Sequence, residues 1–383
     1  MKKIVAVLLA ILLFFPRSVE GKEEALALDS EYYVLMEANT GTVLASKNKD
    51  EIRSPASITK IMTVLLIFEA LEQKKISLTD MVITSEHAKS MGGSQVFLEE
   101  GEEQSVETLI KCILIASGND ASVAMAEKIG GSEESFVKMM NEKARKLGMK
   151  HTHFVDCCGL TDSDEHYTTA EDVALVSREL VNRYPQVLDY SSIWMETIIH
   201  KTKQGEKEFV LSNTNKLLKA NDWVKGLKTG STSKAKYCVS NVAVKDGITL
   251  ISVVMAAPNY KVRFSDSYQL LNYGFSKCTL YRDPEKTYSK ELNSGEKNQI
   301  QGRKKETFYV DTTGMDFEKI RNVLNWKKSI EPPIRKGDVL GTVDYYYDNQ
   351  KICSTEIVAK ESVKEAGFGM CLKSVAGKLL QIG

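Results

Sequence analysis

The sequence predicts a mixed α/β (α+β) protein: an antiparallel sheet with helices packed on it, an inserted helical lobe, and a small β-rich domain toward the C-terminus. Three observations carry this reading. Period-two apolar stretches near residues 32–45 and 237–256 bracket a middle region whose apolar residues recur at helical spacing. Near Leu280 the composition turns polar and rich in Lys and Glu, and short strand-like pieces follow. The length of 383 residues suits two domains, and 43% apolar with 27% charged residues excludes wholesale disorder. Lys plus Arg (51) equals Asp plus Glu (51), so no basic excess points to a nucleic-acid partner.

The elements follow in chain order. Lys2-Lys3 precedes an apolar run, Ile4 to Phe15, that is shorter than the roughly 20 residues of a membrane span and suits the core of a secretory signal. Ala25-Leu26-Ala27 fits a cleavage pattern, with the stretch Val19 to Gly21 competing, so residues 1–27 read as a signal peptide and an uncleaved anchor as the alternative. Either way the body is expected outside the cytoplasmic membrane. Glu31 to Ala45 forms a hairpin about Asn39-Thr40-Gly41. Pro55 precedes a helix from Ser57 to about Gln73 with almost no polar side, which marks it as buried. Ser105 and Ser132 are placed to cap two further helices, the second stopping near Gly148. Thr168 and Glu171 have capping-box spacing before a helix that ends at Pro185. Tyr237 to Val244 and Ile248 to Ala256 flank Asp246-Gly247, a hairpin signal. Residues 28–280 form one expected domain and 285–383 the other, whose Lys and Glu runs read as solvated faces and whose strands fall at 308–310, 339–347 and 352–358. The seven cysteines show no C-x-x-C or zinc spacing and read mostly as small buried hydrophobes, with room for one bridge.

Three short patterns bear on chemistry. Ser57-Ile58-Thr59-Lys60 places a hydroxyl and an amine on one helix face, at the positive end of the helix, where a developing oxyanion is favoured. A buried lysine loses its proton more readily, and a neutral amine can take the proton of Ser57. Serine stands three residues before lysine at six places, but only Ser57 leads into an apolar helix. Ser117-Gly118-Asn119 follows an apolar helix and can present a hydroxyl and an amide to a cleft. Lys228-Thr229-Gly230 precedes a strand and can begin an edge strand. There Gly230 permits close backbone approach, Lys228 brings positive charge and Thr229 a hydroxyl for a carboxylate.

Taken in this order, the set resembles the serine penicillin-recognising family, and more closely the low-molecular-mass penicillin-binding proteins that are serine-type D-alanyl-D-alanine carboxypeptidases. The resemblance extends through Arg53 to Thr63, Leu114 to Ala121, His166 to Ala174 and Gly226 to Gly230, and covers roughly residues 30–275. The tail resembles that family's C-terminal β domain in size and placing. The resemblance implies a penicillin-binding/β-lactamase-like catalytic domain without cofactor or metal. Its substrate is the peptidoglycan stem pentapeptide, and β-lactams act as covalent inhibitors. It implies Ser57 as nucleophile, Lys60 as base, Ser117 as proton relay and Asn119 as the holder of the substrate amide. Lys228 and Thr229 face the ligand, and the N–H groups of Ser57 and Ser231 form the oxyanion hole. Arg263 is a further candidate for the substrate carboxylate, set against an ordinary surface salt bridge. The location implied is the cell wall or the outer face of the cytoplasmic membrane. Met370 to Leu380 offers a short apolar face for peripheral membrane contact.

Other readings remain at this stage. A β-lactamase of the same fold needs a carboxylate to activate water, and the Glu-x-x-Leu-Asn arrangement is absent. A metallo-carboxypeptidase needs a His/Asp/His cluster that the five histidines do not provide. A wall-binding or β-lactam-sensing protein would keep the pocket without turnover.

Overall fold

The computed structural model describes residues 26–202, 205–292 and 294–367. Most of the expected signal peptide, the Met370–Leu380 stretch and Cys371 lie outside the described residues.

The first hairpin is β1 (Tyr32–Glu37) with β2 (Val43–Lys47), paired antiparallel about the expected turn. Pro55 then precedes a 3₁₀ turn, Ala56–Thr59, which runs into α1 (Lys60–Glu72). The expected helix therefore begins in a tighter form. A 3₁₀ turn repeats every three residues, so side chains at i and i+3 lie over one another. Nearly every residue of α1 from Lys60 to Ala70 is buried.

The helical lobe follows. It comprises β3 (Met81–Ile83), α2 (Glu86–Ser90), β4 (Glu103–Ser105), α3 (Val106–Leu114), α4 (Asn119–Gly130) and α5 (Glu133–Leu147). Ser105 Oγ accepts from the Thr108 amide and Ser132 Oγ from the Ser135 amide, and α5 stops at left-handed Gly148. The next helix, α6 (Ala170–Arg183), is capped by Thr169 rather than Thr168. Thr168 is otherwise engaged: its backbone bridges Arg53 in both directions, and its hydroxyl lies 2.7 Å from that of Thr152. Asp172, not Glu171, thus receives the cap geometry.

After α7 (Val187–Ser191), a charged ribbon, β5 (Met195–Thr202) with β6 (Gly205–Ser212), stands outside the main sheet. The short α8 (Leu217–Ala220) leads to β7 (Val224–Thr232), β8 (Lys236–Lys245) and β9 (Ile248–Ala257), and α9 (Tyr260–Lys277) closes the region. The sheet order is β2-β1-β9-β8-β7, so Lys228-Thr229-Gly230 lies on an edge strand. Alternation divides the core in two. Val34, Met36, Ile251, Val253 and Met255 face α1 and α6, whereas Tyr33, Leu35, Leu250 and Val254 face Phe264, Leu270 and Leu271 of α9.

The C-terminal part is β-rich as expected. A ribbon joins β10 (Thr279–Asp283) to β13 (Thr307–Asp311). The remaining strands form a sheet of order β11-β12-β16-β15-β14. They are β11 (Lys286–Glu291), β12 (Gln299–Lys304), β14 (Arg321–Trp326), β15 (Val339–Tyr347) and β16 (Gln350–Ala359). The polar 283–305 stretch is not only a solvated face. In β12 exposed and buried residues alternate, and Lys304 is wholly buried. Val310 joins the α9 side of the main core, which ties the ribbon to the first domain.

Candidate active site

Three segments distant in sequence converge where the 3₁₀ turn meets β7. Lys60 Nζ lies 3.0 Å from Ser57 Oγ, one 3₁₀ turn earlier. It lies 2.6 Å from Asn119 Oδ1 and 2.8 Å from the Cys158 carbonyl. Lys60 is fully buried, and burial lowers its pKa from the usual lysine value. The nearby thiols of Cys158 and Cys157 and the carboxyls of Asp156 and Asp120 act in the opposite direction without reversing the shift.

The Ser-x-Asn loop is anchored by its own backbone. Asn119 Nδ2 donates to the Gly92 carbonyl at 2.7 Å and its amide to the Ser94 carbonyl at 2.8 Å. Buried Asp120 accepts from the amides of Val96, Leu98 and Ala121. These bonds hold the 92–98 loop over the start of α4. Ser117 has φ of +64°, unusual for a residue with a side chain, and its buried hydroxyl has no hydrogen-bond partner among the described residues. Strain and an unsatisfied hydroxyl together are features of functional positions.

On the other side, β7 presses against the 3₁₀ turn. A Cβ at Gly230 would lie 2.9 Å from the Pro55 carbonyl, 3.0 Å from the Ser57 amide nitrogen and 3.1 Å from that of Ile58. Only glycine lets the edge strand come so close. Lys228 is buried, and burial first, then the charges of Lys60 and Arg263, hold its pKa well below the usual value. Its Nζ donates to the Thr229 carbonyl at 3.1 Å, and Thr229 Oγ1 bonds Thr214 Oγ1 at 2.6 Å. Ser231 is the next residue on the strand and is exposed. Arg263, on α9, is not in a surface ion pair. It is buried, and Nη1 donates to the carbonyls of Gly230 and Cys238 at 3.1 and 3.2 Å while Nε has no partner among the described residues.

A fourth segment, residues 155–161, packs against the 3₁₀ turn at Ala56 and Thr59 and against Lys60. Asp156 gathers the amides of Cys158, Gly159 and Thr161, which shapes the loop so that the Cys158 carbonyl points at Lys60. Gly159, at φ +77°, packs on the Ala56 carbonyl so closely that a Cβ would lie 1.8 Å from that oxygen. His166 Nδ1 accepts from the Val155 amide, so the proton is assigned to Nε2, 2.8 Å from Thr59 Oγ1, and Thr59 donates to the Ala56 carbonyl. Burial lowers the His166 pKa, against the pull of Asp156. The ring thus braces the 3₁₀ turn that carries Ser57 without touching Ser57 itself. Sequence reasoning took Cys157-Cys158 only as buried thiols, and they are free and buried. It missed that a backbone carbonyl there completes the lysine's surroundings, since carbonyls carry no sequence signal. Among the described residues no His, Cys, Asp and Glu are grouped to hold a metal ion.

A serine beside a buried amine, at the junction of a helical lobe and a five-stranded antiparallel sheet edge, defines a serine hydrolase of the penicillin-recognising class. The comparisons narrow it. The D-alanyl-D-alanine carboxypeptidase family matches residues 19–259, and the C-terminal domain of penicillin-binding protein 5 matches residues 275–365. The chain is 41% identical to the D-alanyl-D-alanine carboxypeptidase DacF of Bacillus subtilis over 98% of both chains. It is 34% identical to DacC of Escherichia coli over 94% of this chain and 90% of that one. Penicillin-binding protein 5 of Haemophilus influenzae superposes with a TM-score of 0.66 at 32% identity, covering 88% of this chain and 98% of that one. This chain therefore belongs to the D-alanyl-D-alanine carboxypeptidase family, as a serine-type enzyme.

Proposed function

We propose that the protein removes the terminal D-alanine from peptidoglycan stem pentapeptides through an acyl-enzyme on Ser57, and that β-lactams are trapped on the same oxygen. The observation that carries this reading is the set of partners around Lys60. A neutral lysine has two N–H groups and one lone pair. Asn119 Oδ1 and the Cys158 carbonyl accept the two N–H groups, which leaves the lone pair for the Ser57 hydroxyl proton. Burial favours the neutral form.

The steps balance. The Ser57 proton moves to Lys60 Nζ as Oγ attacks the penultimate D-alanine carbonyl. The amides of Ser57 and Ser231 receive the oxyanion, and one such donor is worth ~3 kcal/mol. As the C–N bond breaks, Ser117 gives its hydroxyl proton to the leaving D-alanine nitrogen and takes up the proton that Lys60 had accepted, so the amine is neutral again; Lys60 then takes a proton from the attacking water and returns it to Ser57 Oγ as the ester bond breaks. Asn119 holds the substrate amide. Gly230 lets the substrate backbone lie along β7, and Lys228, Thr229 and Arg263 supply positive charge and a hydroxyl for the terminal carboxylate. In this proposal residues 28–280 form the catalytic domain and 285–383 the separate domain. The chain works outside the cytoplasmic membrane after removal of its signal segment, and Met370–Leu380 gives peripheral membrane contact.

The test is incubation with a stem pentapeptide, scored for free D-alanine. The wild type releases it with or without a chelator, and Ser57→Ala releases none and takes up no labelled penicillin. Covalent labelling of Ser57→Ala would show the nucleophile to be misassigned. Fast penicillin turnover without a stable adduct would return the reading to a β-lactamase.

A further inference from the structure

The segment whose carbonyl meets Lys60 is held at its preceding residue by a carboxylate that also reaches toward the surface. Glu133 is the first residue of α5. Its Oε1 accepts from the Cys157 amide at 3.0 Å, and its Oε2 lies 2.8 Å from His87 Nε2 on α2. The Glu133 side chain is 14% exposed and that of His87 52%. The rest of the segment is equally tied: the Cys157 carbonyl accepts from Thr63 Oγ1 at 2.5 Å and the Cys158 amide donates to Asp156 at 2.8 Å. Each backbone polar group from Cys157 to Cys158 thus has one partner, and the partner of the Cys158 carbonyl is Lys60. That carbonyl shares its peptide plane with the Gly159 amide, which donates to Asp156, and the Cys157 amide held by Glu133 anchors the segment two planes earlier. Glu133 supplies the one restraint that comes from another helix of the lobe through a side-chain carboxylate.

We propose that Glu133 is a positioning residue for acylation: by accepting from the Cys157 amide it anchors the Asp156–Gly159 segment, whose Cys158 carbonyl meets Lys60, and so helps aim the Lys60 lone pair at Ser57. The proposal rests on the reading of Ser57 as nucleophile and Lys60 as its base. It differs from the ordinary role of an acidic residue at a helix start, which is to offset the helix dipole. Glu134, the next residue, shares the dipole role and makes no bond to the cysteine loop. Charge and reach can therefore be separated. Glu133→Asp keeps the charge at the helix start but shortens the arm, whereas Glu133→Gln discards the charge and keeps an oxygen able to accept from Cys157.

The experiment compares kcat and KM for D-alanine release, and the rate of penicillin acylation, in wild type, Glu133→Asp, Glu133→Gln and Glu134→Gln, each with its melting temperature. Misplacing a base by a fraction of an ångström should cost roughly tenfold or more. Positioning predicts that Glu133→Asp loses that factor in kcat and in acylation with KM little changed. Glu133→Gln should stay within about threefold of wild type and Glu134→Gln should be indistinguishable from it. A wild-type rate in Glu133→Asp, or an equal loss in Glu133→Gln, overturns the proposal, as does a change confined to KM. Wild-type protein is also digested after penicillin treatment. An adduct on Ser57 shows that a negative result bears on Glu133 alone, and its absence overturns the parent reading and this one together.

Discussion

At the scale of single residues, function and stability oppose one another. Lys60 and Lys228 are both buried, and burial lowers the pKa of each. The unfolded chain binds these protons more readily than the folded one. The sign follows: stability is highest above the ordinary lysine value of 10.5 and declines as pH falls through it toward each lowered folded value. Under the proposed mechanism acylation changes with pH in the same direction, because only the neutral amine of Lys60 accepts the serine proton. The acylation rate with a penicillin, measured against pH, should therefore rise with a midpoint below 10.5, and a midpoint at that value would mean that Lys60 is solvated during reaction. Lys228→Met removes one buried cation of similar shape. Its melting temperature at neutral pH should be no lower than wild type, while acylation falls roughly tenfold or more for want of the charge facing the ligand. Marked destabilisation would show Lys228 to be structural.

At the scale of elements, the site depends on how closely β7 meets the 3₁₀ turn. Gly230→Ala places a methyl within 3.0 Å of the Ser57 amide nitrogen, so the strand edge must move away from the nucleophile. The variant should lose some thermal stability, since backbone must give way, and lose acylation by about tenfold or more, because the proposed oxyanion donors, the amides of Ser57 and Ser231, no longer converge. Wild-type acylation would place the oxyanion donors elsewhere. Elements with a local signal could be read from sequence: the Asp246-Gly247 hairpin, the Ser105 and Ser132 caps, and α1 through its unbroken apolar run. The ribbon β5–β6 and the strands β11 and β12 were not read, because most of their residues are exposed and too few buried apolar side chains mark a face. Ser57 and Lys60 were legible because local spacing puts them on one face. Gly159, Asp156 and His166 were not, because their effect on that pair comes from tertiary packing through a backbone carbonyl and a threonine.

At the scale of the whole molecule, the proposed catalytic crevice lies between the 3₁₀ turn, α4 and β7, and the β10–β13 ribbon connects that part of the chain to the C-terminal sheet. A buried ion pair secures that ribbon to the sheet. Lys304 Nζ lies 3.1 Å from Asp283 Oδ2, and the Tyr345 hydroxyl donates to the same carboxylate at 2.5 Å. Removing one member leaves the other short of its partner, at a cost of about 3 kcal/mol or more. Lys304→Met should therefore lower the unfolding temperature of the C-terminal domain by calorimetry and leave penicillin acylation unchanged; a loss of acylation would show that this domain helps shape the crevice. The central claim concerns one oxygen in the other domain. Mass spectrometry of a digest of the penicillin-treated protein tests it most directly. A single acyl adduct on the peptide containing Ser57, absent when Lys60 is replaced by Met, is the result expected. An adduct on Ser117 or Ser231, or undiminished labelling without Lys60, would contradict it.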